Sequence, residues 1–286
     1  MATPFPSFTK TWHNTSYSSI SPTKPALSLA RKTVLITGGG SGIGARAVRS
    51  FAEARAANIA ILGRRQANLD AVASDIRASF PDVKIYTYSV DMTDLKAVND
   101  AFRDYAKTAG LIDILVSNAA FGGMDPPIKE AKVEDWWFSV ETNVKGSFHL
   151  AQAFLSGYGK PDGIIINVTS GLSYLLGPGT SAYTVGKAAV VRLFGIVHME
   201  NPELRVVHVH PGVVDTEMSR KANYSAMDDA SLPADFFVWI SSSEAAFLNG
   251  KYAWVNWDVE ELKSREAEIK EKKLLEMWLQ GVPFES

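Results

Sequence analysis

A tyrosine and a lysine stand four residues apart in the helical stretch "SAYTVGKAAV", as Tyr183 and Lys187. On a helix, positions i and i+4 share a face, so the phenol and the ammonium lie side by side. Free tyrosine holds its proton up to about pH 10, too tightly to exchange it easily at neutral pH. An ammonium about 4 Å away, at an effective dielectric of about 20, stabilises phenolate by about 4 kcal/mol before desolvation is counted. The spacing therefore predicts a Tyr183 drawn toward neutrality and usable as a general acid or base. Taken alone, the pair reads equally as a polar stripe on a surface helix.

A second chemical feature lies upstream. "VLITGGGSGIGARAV" places glycines at 38, 39, 40, 42 and 44 directly after a β-branched run. Glycine turns tightly and lets a phosphate approach the backbone. A helix opening at Ile43 aims free N–H groups and a partial positive charge at that phosphate. Glycines in a loop are ordinarily a flexible turn; between a strand and a helix they read as a nucleotide cradle.

The spacing T-G-x-x-x-G-x-G (Thr37, Gly38, Gly42, Gly44), followed by Tyr183–Lys187, resembles the short-chain dehydrogenase/reductase family over residues 32 to about 256. Further marks match. "VDM" supplies Asp91 and Met92 at the adenine. "SNAA" supplies Asn118 and Ala119, with Ala120 where the family has glycine. "TNVKG" supplies Asn143 and "NVTS" supplies Ser170, thirteen residues before Tyr183. "HPGVVDT" supplies Pro211, Gly212, Val214 and Thr216. The resemblance implies that Tyr183 protonates a carbonyl oxygen as hydride arrives from a nicotinamide. It also implies that Lys187 contacts the nicotinamide ribose, Ser170 hydrogen-bonds the substrate oxygen, and Asn143 holds a water that relays protons. Gly38, Gly40, Ser41, Gly42, Ile43 and Gly44 would cradle the pyrophosphate. Tyr183 and Lys187 count among the cofactor contacts as well.

The second strand ends in "AILGRRQ". In this fold a carboxylate there binds the adenosine ribose, whereas an arginine accepts a 2′-phosphate. Gly63 occupies the carboxylate position and Arg64 and Arg65 follow. A charged hydrogen bond is worth roughly 1.5–3 kcal/mol, so NADP(H) is the expected cofactor. Ser41 stands where many NADP-using relatives carry a basic residue in the turn.

The elements that must position these groups follow from periodicity. Apolar runs at 32–37, 58–62, 83–90, 112–117, 163–168, 204–210 and 251–256 read as strands. Helical stretches at 43–56, 68–79, 94–108, 133–157 and 182–200 lie between most of them. Apolar strands alternating with helices predict an α/β fold: a single Rossmann-like doubly wound domain, with a seven-stranded parallel sheet and helices on both faces. The expected organisation is an extended arm over 1–30, the cofactor-binding catalytic domain over 31–257, and a helical element over 258–286. Asp258 with Glu261 resembles a capping box. Glu261–Arg265, Glu266–Lys270 and Glu268–Lys272 read as i, i+4 pairs, and Val259, Leu262, Ile269 and Met277 as a docking stripe for the domain or a subunit interface.

Composition limits the alternatives. The 286 residues are 46% hydrophobic, carry a net charge of −2 and contain no cysteine. That excludes disulfides and thiolate chemistry and gives no global basic field for nucleic acid or membrane. His208 and His210 share a strand face without a third ligand, so no metal is expected. The proline-broken, acid-free first 30 residues do not read as a secretory signal, and no run approaches a membrane span; a cytoplasmic protein is expected. Phe121, Tyr174, Leu175 and Leu176, with Phe236, Phe237 and Trp239, are candidate walls for an apolar, aromatic or polycyclic carbonyl or alcohol. Trp136, Trp137 and Phe237 also read as plain core. Residues 221–235 read as a mobile substrate loop. The arm resembles that of family members acting on natural-product intermediates, and the two long helices imply a homodimer or homotetramer. A non-redox isomerase, dehydratase or cyclase, or an NADPH-sensing binding protein, remain the rival functions.

Overall fold

Strands β1 (Thr33–Thr37), β2 (Asn58–Gly63), β3 (Lys84–Ser89), β4 (Ile112–Ser117), β5 (Gly159–Val168), β6 (Arg205–His210) and β7 (Tyr252–Trp254) form one sheet in this computed structural model, which describes residues 4–277. The order is β3-β2-β1-β4-β5-β6-β7, parallel throughout. Successive side chains on a strand point to opposite faces. Val34 and Ile36 therefore enter one core with helices α1 (Gly42–Glu53), α2 (Gln66–Ser79) and α7 (Ser231–Ile240). Leu35 enters the other with α3 (Leu95–Ala109), α4 (Val133–Ala153) and α5 (Ser181–Glu200). With both faces covered, the central strands need no polar side, which is why they read apolar; the edge strand β3 keeps polar, partly exposed positions. The strand order reverses between β1 and β4, and their carboxyl ends open the crevice where such sheets bind ligands.

The stretch read as a substrate loop divides differently. After α6 (Glu217–Lys221), only residues 222–230 are loop, because α7 begins at Ser231. Phe236, Phe237 and Trp239 are fully buried on α7, so they are core and line no pocket. "SLPADFFVWI" is apolar but for Ser231 and Asp235, and Asp235 is buried too, the mark of a helix enclosed by protein. Trp137 departs the other way: it is 57% exposed, not core. Trp136 is half-buried and donates its Nε1 hydrogen to Ser181 Oγ at 3.0 Å.

The arm packs on the domain and, rather than being extended throughout, contains two 3-10 turns, Ser18–Ile20 and Pro25–Leu27. Ile20 and Leu27 are fully buried, and Trp12 bridges antiparallel to Trp257 just past β7. The carboxyl-terminal element is two short helices, α8 (Val259–Ser264) and α9 (Glu266–Glu271), broken at Arg265. Val259, Leu262 and Ile269 are fully buried against this chain's own core. Asp258 Oδ1 caps α8 through the Glu261 N–H at 2.9 Å. Glu261 does not complete the box or pair with Arg265; its carboxylate accepts the Lys10 and Thr11 N–H groups at 2.7 and 2.8 Å. Arg265 instead lies over the Phe8 ring, 3.6 Å from its centroid, and pairs with Glu268. Glu266–Lys270 and Glu268–Lys272 pair as spaced. Residues 278–286 of the expected helix lie outside the described residues. Among the described residues no helix is long and apolar enough to cross a membrane.

Candidate active site

The glycine turn joins β1 to α1 at the mouth of the crevice. A Cβ on Gly44 would lie 2.2 Å from the Gly38 carbonyl oxygen, so only glycine lets the helix start that close to the strand it leaves. Ser41, at the α1 N-cap, makes no side-chain cap bond, which leaves the N-terminal amides of α1 to a ligand. Gly40 packs beside Leu69, and Ile43 packs on the core behind the turn. Asn118 braces the crevice floor: its Nδ2 donates to the Thr37 carbonyl at 2.9 Å, while its own N–H and that of Ala119 donate to Thr37 Oγ1 at 3.0 Å each. Thr216 caps α6, and its Cγ2 would lie 3.1 Å from a Cβ on Gly42, so the segment after β6 closes on the glycine turn.

At the far end of this cradle, the two arginines separate. Arg65 pairs with Glu217 at 3.2 Å. Arg64 is exposed and its guanidinium makes no hydrogen bond or ion pair among the described residues. Asp91 is exposed; a hydrogen bond from Thr93 N–H leads the causes that hold its carboxyl below the usual range, and Arg64 contributes. Met92 is buried beneath it, and its carbonyl accepts a hydrogen bond from His149 Nδ1 at 2.8 Å. A dinucleotide fits this donor set: glycine cradle, free helix amides and one unengaged guanidinium.

Tyr183 and Lys187 share the face of α5 that looks into the crevice, but not as their spacing suggests. Lys187 Nζ donates to the Val168 carbonyl at 2.8 Å and lies 5.8 Å from the centre of the Tyr183 ring. Burial, partly offset by a hydrogen bond with Ser170, pushes the Tyr183 phenol up to about 12. Burial brings Lys187 down to about 8. The expected drift of Tyr183 toward neutrality is not found, because desolvation outweighs an ammonium turned toward a backbone carbonyl. The Tyr183 phenol therefore keeps its proton at neutral pH.

Ser170 lies two residues past the end of β5 and caps the short turn Gly171–Ser173. Its loop is pinned from below. His210 Nδ1 accepts the Gly171 N–H at 2.9 Å, and the Tyr252 hydroxyl donates to the Ser170 carbonyl at 2.7 Å. Burial lowers His210 to about 3, so the ring stays neutral and its Nδ1 stays an acceptor. His208 likewise bonds Asn167 through Nδ1 at 3.0 Å. No group of metal-ligating side chains occurs among the described residues. The sequence reading took His210 only as half of an incomplete metal pair and passed over Tyr252, although alternating "HVH" and aromatic "YAW" on neighbouring strands carried the signal.

Asn143 is 2% exposed within an unbroken α4. Its Oδ1 accepts the Phe121 N–H at 3.1 Å, and its Nδ2 donates to the carbonyls of Phe121 and Ser139 at 2.7 and 2.8 Å. The side chain therefore anchors the 119–123 loop and is fully engaged. That loop brings Gly122 against the Tyr183 ring, a contact the sequence reading missed. Asp125 was missed too: its Oδ2 accepts the Ala182 N–H at 2.8 Å and caps α5 from outside the helix. Around the mouth, Phe121, Tyr174 and Leu176 are exposed, and Leu175 is half-buried on the core. The Tyr174 hydroxyl accepts from Trp254 Nε1 at 2.6 Å.

Lys187 carries a stability prediction. Its folded value is about 8 against 10.5 when free, so between these the unfolded chain binds more protons and stability rises with pH. At neutral pH the buried charge costs folding up to roughly 3 kcal/mol. Lys187→Met should raise the melting temperature of the cofactor-free protein at pH 7, with the difference narrowing toward pH 10. A variant that melts lower at both pH values would contradict this.

The doubly wound sheet with its glycine turn and Tyr–Lys pair defines a dinucleotide-fold oxidoreductase. The "short chain dehydrogenase" family profile matches residues 32–226, and the chain belongs to that family. A "Short chain dehydrogenase/reductase" of Claviceps purpurea (strain 20.1) is 36% identical over 262 residues, covering 89% of this chain and 87% of its own. "Short chain dehydrogenase mpl6" of Monascus purpureus is 32% identical, with 92% and 94% covered. A short chain dehydrogenase from Burkholderia cenocepacia J2315, solved in complex with NADP, is 25% identical with a TM-score of 0.71, covering 81% of this chain and 99% of its own.

Proposed function

We propose that this protein is an NADPH-dependent carbonyl reductase in which Tyr183 donates the proton, Ser170 holds the substrate oxygen and Lys187 holds the nicotinamide ribose. The observation that carries this reading is the half-buried Tyr183 phenol, which interacts with Ser170 and shares a face of α5 with Lys187, whose Nζ lies 5.8 Å from the centre of its ring. The cofactor supplies hydride when bound. Its pyrophosphate would rest on Gly38–Gly44, its adenine beside Asp91 and Met92, and its nicotinamide against Pro211, Gly212, Val214 and Thr216. Asn118 and Ala119 would form the wall between them. Arg64, rather than the paired Arg65, would take the 2′-phosphate through a bidentate contact; the Burkholderia relative solved with NADP supports this choice of cofactor. Exposed Phe121, Met124, Phe138 and Leu176 favour an apolar, ring-bearing substrate. Exposed Phe148, Ile196 and Met199 on α4 and α5 suit pairing with a second copy.

The test follows nicotinamide absorbance with NADPH and NADH in parallel against aliphatic, aromatic and polycyclic ketones. NADPH-preferring turnover supports the reading; silence across the panel with NADPH still bound favours a non-redox enzyme. Arg64→Gln should raise KM for NADPH roughly ten- to a hundredfold and leave KM for NADH nearly unchanged. Equal effects on both cofactors would remove Arg64 from the 2′-phosphate site.

A further inference from the structure

The segment leaving β6 toward the crevice is held by a turn fifteen residues later. Val213 N–H donates to Asp228 Oδ2 at 2.6 Å. The N–H groups of Met227 and Asp228 return to the Val213 carbonyl at 2.8 and 3.1 Å, and Val214 bridges Asp228 in parallel. Asp228 is 9% exposed, and among the described residues no cation pairs with it. Its charge is met by hydrogen bonds alone.

One of those bonds comes from the arm and another from the segment after β7. Asn14 Nδ2 and Asn256 Nδ2 donate to Asp228 Oδ1 at 2.7 and 2.8 Å, while the Asn14 carbonyl accepts the Asp229 N–H at 2.8 Å. Asn256 is itself tied to His13 in both directions, at 2.9 Å each. The first residues of the chain therefore reach the segment that contains Gly212, Val214 and Thr216. Removing one donor from a buried carboxylate leaves that charge under-satisfied and its other partners free to shift.

We propose that Asn14 and Asp228 are positioning residues for the Gly212–Thr216 segment, which makes the amino-terminal arm a working part of the cofactor site. This rests on the NADP(H) reading above. Asn14 acts on Asp228, Asp228 fixes the Val213 amide, and Thr216 carries the placement to the glycine turn. The arm is thereby more than a cover for the apolar surface beside β7.

The deciding experiment compares Asn14→Ala with Glu261→Ala in the full chain. Glu261→Ala frees the Lys10 and Thr11 amides from α8 and loosens the arm without touching Asp228. Two quantities are read: hydrogen exchange of the Val213 amide in the cofactor-free protein, and the Kd for NADPH by titration calorimetry. Asn14→Ala should speed Val213 exchange and weaken NADPH binding roughly tenfold, whereas Glu261→Ala should leave both within about twofold. Unchanged Val213 exchange in Asn14→Ala, or equal effects from the two variants, would overturn the proposal and leave the arm a purely structural element. Wild-type protein that binds no NADPH would sink the cofactor reading instead, and Val213 exchange would still decide the link.

Discussion

Tyr183→Phe should lower kcat by about three orders of magnitude, within the range general acid catalysis supplies, while NADPH binding stays within about threefold. The substitution removes one oxygen from a ring whose packing is otherwise kept. Ser170 retains its bond from the Leu172 N–H, 3.2 Å away, so its loop has a remaining tie besides His210 and Tyr252. Lys187 is untouched, because its ammonium is held by the Val168 carbonyl rather than by the phenol. The variant therefore isolates the lysine. Lys187 loses its charge near pH 8 in the free protein, so NADPH affinity should fall above that pH equally in wild type and Tyr183→Phe. Calorimetric titrations of both proteins from pH 6.5 to 9.5 check this. A variant that keeps a tenth of wild-type turnover would remove Tyr183 from the chemical step; an alkaline limb lost with the phenol would assign that limb to Tyr183.

The fold and the outline of the site were legible because their signals are local. Gly38 to Gly44, after an apolar strand and before a helix, states its geometry within a few residues. The apolar runs of the central strands state that both sheet faces are covered. What failed depends on distant packing. Phe236 and Trp239 look alike as pocket wall or core until α7 is seen to lie enclosed on the sheet. Arg64 and Arg65 are adjacent in sequence, and only Glu217, on α6, distinguishes them. The Tyr183–Lys187 spacing correctly places two side chains on one face of α5. It says nothing of the desolvation that burial imposes or of the Val168 carbonyl that claims the ammonium. Electrostatics in a crevice is set by which backbone groups converge there, and no spacing rule carries that.

Gly122→Ala should cost about a hundredfold in kcat through geometry alone. A Cβ there would lie 2.4 Å from Tyr183 Cδ2 and 2.9 Å from Cε2, so either the loop retreats or the ring turns. The loop is held: Asn143 grips both the N–H and the carbonyl of Phe121, the residue before. Just past that loop, Asp125 is bound to the α5 N-terminus through the Ala182 N–H, so a retreat would also uncap the helix that carries Tyr183. The ring is therefore the side that moves, away from Ser170 and off the axis toward the substrate oxygen. Displacement of a reacting group by about 1 Å is worth about two orders of magnitude. NADPH affinity should be unaffected, since neither Gly122 nor the ring face it touches lies at the phosphate turn or Arg64. The decisive comparison is the double variant. If Gly122 acts only by placing Tyr183, then Gly122→Ala in the Tyr183→Phe background should remove little further activity, because the group it positions is already gone. Losses that multiply would mean that Gly122 shapes the substrate pocket independently, and that the loop bearing it reads the substrate as well as the phenol.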